Sequence, residues 1–196
     1  MKLLLKILFL SLLLITTASS AQEAWRAAVV KVNYKNSKLV PPFCQVNSPQ
    51  YKAANWKQRL GPDFTWINHY CSAKARIPVC WKYPTKQRNE CLTAHLEGSQ
   101  YAIAHSKNPN YALLPLLYTE QGILLKDLKR YGEAIQSFQS AIKKNRKYIP
   151  AYTKLADTYI LIKDFTAAEK TIHQGLKYKK SKALKRRLKK LDAARK

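Results

Sequence analysis

The sequence predicts an all-α protein built from stacked antiparallel helix pairs, and three observations carry that expectation. Two stretches offset by 34 residues superimpose position by position: Gly122 falls on Ala156, Tyr131 on Phe165, Ala134 on Ala168, Phe138 on Ile172 and Ala141 on Gly175. A constant offset that keeps small residues over small and large over large marks a helical repeat, because stacked units must repeat both their knobs and the holes that receive them. All four cysteines and all four tryptophans lie ahead of these repeats, which sets off a front segment of different composition. Behind them, Leu184, Leu188 and Leu191 draw one apolar stripe on an otherwise Lys/Arg-rich helix, as a cap with a solvated outer face requires.

The chain opens with Met1-Lys2, Lys6, an apolar run from Ile7 to Ile15, and the small residues Thr16-Thr17-Ala18-Ser19-Ser20-Ala21. This is the three-part layout of a secretory leader, residues 1–21, with cleavage expected after Ala21. A spanning helix needs about 20 apolar residues, and this run is too short for an uncleaved anchor. An exported mature chain, periplasmic or secreted, is therefore expected.

Residues 22–110 form the Cys/Trp-rich helical segment. Ala24 to Val32 reads as a short helix or strand. Pro49 to Leu60 starts on a proline and stops at Gly61, the preferred residues at the two ends of a helix. Pro62 to Arg76 places Phe64, Ile67, Tyr70, Cys71 and Lys74 at helical spacing, and Thr85 to Ser106 aligns Leu92, Leu96, Ser99, Ile103 and Ser106. These last two could make a degenerate first repeat. Arrays need about three units to bury a continuous core, so the front segment is the expected cover for one end of the stack.

Cys44, Cys71, Cys80 and Cys91 are even in number and confined to this segment, which in an exported chain reads as two disulfides. Three connectivities are open; short loops favour Cys44–Cys71 with Cys80–Cys91. A metal reading stands beside it, since His69-x-Cys71 and Cys91-x3-His95 offer ligands, but no two cysteines lie two to four residues apart as zinc sites prefer. Catalysis by Cys71 would need a thiolate with a base in reach. We assign no catalytic residue, no metal and no cofactor.

Residues 111–180 hold the two repeats, which resemble the tetratricopeptide repeat. Its small residue in the first helix is Gly122 or Ala156, its aromatic at the turn Tyr131 or Phe165, and its second-helix run Ala134-Phe138-Ala141 or Ala168-Ile172-Gly175. Arg146 and Lys180 stand where the family usually closes a unit with proline. The resemblance implies a scaffold that binds a partner protein or peptide, without chemistry of its own. It also implies a concave groove lined by the first helices: Thr119, Glu120, Ile123, Lys126 and Asp127 from one unit, Thr153, Lys154, Asp157, Ile160 and Leu161 from the other. The Lys, Asn and Arg clamp with which some relatives grip a terminal carboxylate has no counterpart at Thr119, Ile123, Thr153 and Asp157.

Residues 181–196 form the basic capping helix. The full chain carries 36 Lys and Arg against 11 Asp and Glu, a formal charge of +25, and eleven of those cations fall between Lys177 and Lys196 with only Asp192 opposing them. Such an excess concentrates polyanions at a protein surface. Lys185, Arg186, Arg187, Lys189 and Lys190 are accordingly the second candidate site, for an anionic envelope polymer, a membrane surface or nucleic acid. Specific nucleic-acid binding is disfavoured, because stacking aromatics do not interleave with the basic residues. The expected partner is thus a protein or peptide of the cell envelope, with an anionic polymer or lipid surface as the alternative.

Overall fold

The structure, a computed structural model, describes residues 40–45 and 53–195. The leader, the Ala24–Val32 element and the first residues of the Pro49–Leu60 helix lie outside the described residues. Among the described residues there is no strand, and the α-helices are α1 (Ala53–Leu60), α2 (Ile67–Cys80), α3 (Thr85–His105), α4 (Leu114–Asp127), α5 (Tyr131–Lys144), α6 (Ile149–Leu161), α7 (Phe165–Tyr178) and α8 (Lys182–Ala194). Helices α2 and α3, α4 and α5, and α6 and α7 pack as three pairs, with α8 closing the stack against both α6 and α7.

The element expected at Pro62–Arg76 differs at both ends. Gly61 takes φ +88°, a conformation that a side chain disfavours, and the chain leaves it through a 3₁₀ turn at Pro62–Trp66 before α2 begins. At the other end α2 runs past Pro78 to Cys80, although that proline has no N–H to donate to the preceding turn. The Cys80–Cys91 disulfide ties this last turn to α3, which holds it helical beyond the proline.

The turn within each repeat is the same down to the backbone. Lys129 and Lys163, 34 residues apart, take φ 61° and 63°. Arg130 N donates to Leu125 O at 2.8 Å, and Asp164 N donates to Tyr159 O at 2.9 Å. This is the Schellman closure of α4 and of α6, with a lysine rather than the usual glycine in the left-handed position. The links between pairs are not repeated: Asn145 Oδ1 accepts from Lys147 N, whereas the Ser181 hydroxyl accepts from Leu184 N to start α8.

Helix pairs of this kind bury their apolar faces against one another, and three core clusters straddle the pairs. Phe43, Phe64, Tyr70 and Cys71 pack with Leu113, Leu114 and Leu117 at the start of α4. Cys80, Cys91, Leu92 and Leu96 pack with Leu124, Ala134 and Phe138, and with Leu155 from the following pair. Tyr152, Ala156, Ala168 and Ile172 pack with Leu184 and Leu191, which confirms the leucine stripe as the buried face of the cap; Leu188 is half-buried beside them. The front segment and the repeats therefore share cores. Both disulfides, Cys44–Cys71 and Cys80–Cys91, are in the favoured pairing and lie inside these clusters.

Gly122 shows why a repeat conserves volume rather than identity. A Cβ there would lie 2.5 Å from the Phe138 ring, so the glycine is the hole for that knob. The equivalent pair in the next unit is Ala156 with Ile172, in which a methyl is added on one side and an aromatic ring becomes a smaller aliphatic group on the other. Gly122→Ala should therefore cost about 1–3 kcal/mol in denaturant unfolding, and Phe138→Ile in the same chain should recover part of that loss. A neutral Gly122→Ala would contradict this packing.

His95 on α3 is buried, and its Nε2 has no hydrogen-bond partner among the described residues. Burial, and then the nearby Arg76 charge, push its pKa down to about 4. Between pH 6.5 and 4 the unfolded chain takes up a proton that the folded chain refuses. Stability should thus be flat above about pH 6.5 and fall below it by at most about 3 kcal/mol, a loss that His95→Gln removes if unfolding is compared across pH.

Candidate functional site

The first helices form one continuous inner layer, since α4 packs on α6 and α6 on α8 in addition to their hairpin partners. Lys74 Nζ on α2 donates to Glu120 Oε2 on α4 at 2.6 Å, which extends the layer to the front pair. At the other end Arg187 on α8 reaches back to Asp157 on α6, with Nη2 donating to Oδ2 at 2.9 Å and Nε also engaged. Lys190 Nζ adds a contact to the same carboxylate at 3.6 Å. Lys126 donates to its neighbour Asp127. Partly buried pairs such as Asp157–Arg187 tie one helix to the next, and removing one partner strands the other's charge in a place where water is scarce.

This geometry sorts the ten residues expected along the groove. Thr119, Thr153 and Ile160 are buried and face the core instead. The two threonines tolerate burial because each hydroxyl donates to a carbonyl of its own helix, Thr119 to Pro115 O at 2.7 Å and Thr153 to Pro150 O at 2.8 Å. Glu120, Asp127 and Asp157 are held in the ion pairs just described. Ile123 is half-buried against the middle cluster, Lys126 and Lys154 are half-buried, and Leu161 is 55% exposed.

The basic helix divides in the same way. Arg187, expected to meet a polyanion, is instead the anchor of α8 on Asp157, and Lys190 shares that carboxylate. Lys185, Arg186 and Lys189 are exposed on the remaining face of α8. Sequence inspection could not see the pairing, because the two partners lie 30 residues apart.

A cavity of about 460 Å³ between α5, α6 and α7 went unrecognised in the sequence. Gln139, Lys143, Arg146, Tyr159, Lys170 and Gln174 line it together with a few apolar side chains, and no acid is among them. Its residues come from three helices and carry no linear motif; the only signal was the chain's overall cationic excess.

At the front end, the cysteines and histidines weighed as alternative ligands are regrouped. Cys71 is bonded to Cys44, and His69 stacks on Tyr101 with ring centroids 3.8 Å apart. Tyr101 in turn stacks on His105 at 3.8 Å, and Trp66 packs against both. Trp66 therefore contacts this ladder, and Phe43 and Trp56 sit together nearer the Cys44 end.

No helix among the described residues is long and apolar enough to cross a membrane. Comparison with curated proteins and with solved structures gives no match. Residues 125–191, from the last turn of α4 into α8, match the family model of the tetratricopeptide repeat. The 34-residue offset, the repeated Schellman turns, the Gly122–Phe138 interlock and this match agree that this part of the chain is built of tetratricopeptide-like repeats.

Proposed function

We propose that the chain is an exported scaffold that binds a partner protein or peptide of the cell envelope along its inner helical layer. Tetratricopeptide repeats generally mediate protein–protein interaction, and the inner layer supplies a surface that spans several units. One observation carries the reading furthest: Glu120 and Asp157 are already neutralised by cations of neighbouring helices. What remains toward solvent is a mixed strip of Ile123, Lys154 and Leu161, with Lys126 paired to Asp127 at its edge. Such a strip suits an extended peptide with apolar side chains and some negative charge. Export rests on the leader-like residues 1–21, and the two disulfides fit an oxidising compartment.

A second reading, attachment to an anionic polymer or lipid surface, draws on Lys185, Arg186 and Lys189. The acid-free cavity lined by Lys143, Arg146 and Lys170 also favours it. The two are separated by salt and by choice of variant. Charge reversal at Lys185, Arg186 and Lys189, leaving Arg187 and the leucines intact, should remove polyanion binding and flatten its salt dependence without loosening the cap. Ile123→Glu with Leu161→Glu should abolish peptide binding that persists at moderate salt. Asp157 is unsuitable for this comparison, because changing it also releases α8. Capture of the partner from envelope extract by the wild type and the charge-reversed chain, but not by the Ile123/Leu161 variant, is the expected result. Capture lost with the cations and retained by the groove variant would transfer the function to the basic helix.

A further inference from the structure

The Cys80–Cys91 bond differs from Cys44–Cys71 in having a third ligand-bearing side chain beside it. The two sulfurs and an imidazole nitrogen of His95 all lie within 4.8 Å of one another, and all three residues are buried. Cys91 and His95 are four apart on α3, hence on one face, and Cys80 reaches them from the last turn of α2. The Nε2 of His95 has no hydrogen-bond partner among the described residues although the residue is only 6% exposed, an arrangement that leaves a buried polar atom unsatisfied at a real cost. A cavity of about 270 Å³, lined by His95 with Ser72, Arg76, Glu97 and Gly98, lies on the histidine side of the group and has room for a water ligand.

The geometry points to a redox-gated site for a thiophilic metal ion, Cys80, Cys91 and His95 supplying two sulfurs and one nitrogen once the disulfide is reduced. The step balances with a dithiol as reductant: the Cys80–Cys91 S–S bond takes two electrons and two protons to give two thiols, while the dithiol closes its own disulfide. Binding a divalent ion then releases those two protons to solvent and leaves an uncharged bis-thiolate centre. In a tetrahedral zinc site, with Zn–S about 2.3 Å and Zn–N about 2.0 Å, ligand atoms sit roughly 3.5–3.8 Å apart. The sulfurs have to part and the imidazole to draw in to reach that spacing, starting from three atoms already within 4.8 Å of one another. Oxidation and metal binding compete for the same two sulfurs, so the α2–α3 pair would be clasped by a disulfide in one state and by a metal in the other.

The test uses the full chain, oxidised or reduced with a phosphine, titrated with Zn²⁺ against a chromophoric chelator and with Co²⁺ by absorbance. The oxidised chain should bind neither ion tightly. The reduced chain should take one Zn²⁺ and show the thiolate-to-cobalt charge-transfer band. His95→Gln should weaken zinc binding at least tenfold, Cys80→Ser should abolish it, and Cys44→Ala with Cys71→Ala should leave it in place. Circular dichroism on each sample shows whether the helices persist. Undiminished zinc affinity in a folded His95→Gln chain overturns the assignment, as does the lack of a charge-transfer band, or collapse of the helices on reduction that added zinc does not reverse.

Discussion

The structure depends on burial shared between helix pairs. No pair has a core of its own: Leu155 of the last pair sits in the cluster of the pair before it, and Leu113, Leu114 and Leu117 of the first clear repeat complete the cluster of the front segment. Apolar area is removed from water only when units stack, at about 25 cal/mol for each Å², so each unit's stability is borrowed from its neighbours. The two ends of the stack then need different solutions. At the back, α8 covers the last repeat with Leu184 and Leu191 and exposes Lys185, Arg186 and Lys189. At the front, the disulfides staple the segment that covers α4.

Charge follows from the same constraint. A chain with 11 acids against 36 cations cannot neutralise its surface. Several of the few carboxylates sit where helices meet: Glu120 takes Lys74 from α2, Asp157 takes Arg187 from α8, and Glu169 on α7 takes Arg195. The Glu169–Arg195 pair is about two-fifths exposed and contributes little, whereas Asp157–Arg187 is about three-quarters buried on both sides and ties the cap to α6. With the acids so placed, the unneutralised lysines and arginines are left to the outer surfaces, including the cavity between α5, α6 and α7.

Much of this fold was legible in the sequence because repetition writes packing into residue size. Gly122 over Ala156 and Phe138 over Ile172 are legible as a hole and a knob before any coordinates exist. The cysteine pairing was legible through loop length, and the cap through its leucine stripe. Other features were set by contacts that no local pattern records. Pro78 argues for ending α2 one turn early, and it is overruled by a disulfide to another helix. Thr119 and Thr153 look like surface residues until their hydroxyls are seen bonded to their own helices. Arg187 counts as one more tail cation until Asp157 is placed beside it. Along the candidate groove, burial separates Thr119, Thr153 and Ile160 from the residues that stay open to solvent, a distinction that helical spacing does not record.

The front pair α2–α3 shows how the role of a repeat persists when its sequence signature does not. Its two helices approach as closely as those of the clear units, for a Cβ on Gly98 would lie 2.6 Å from that of Ala73 and 2.7 Å from the carbonyl of His69. Yet Gly98 meets the small Ala73 and the backbone of His69 rather than a ring like that of Phe138, so no knob-and-hole pair of the later units is repeated here. The closing turn differs too. A left-handed lysine and a Schellman bond are replaced by Trp81–Pro84 and a disulfide across the hairpin. A covalent clasp removes the need for the aromatic at the turn and for the alanine beneath it, which hold the other pairs together by packing alone. The front pair is instead where cysteine, histidine and tryptophan collect, with Cys80, Cys91 and His95 grouped across the hairpin.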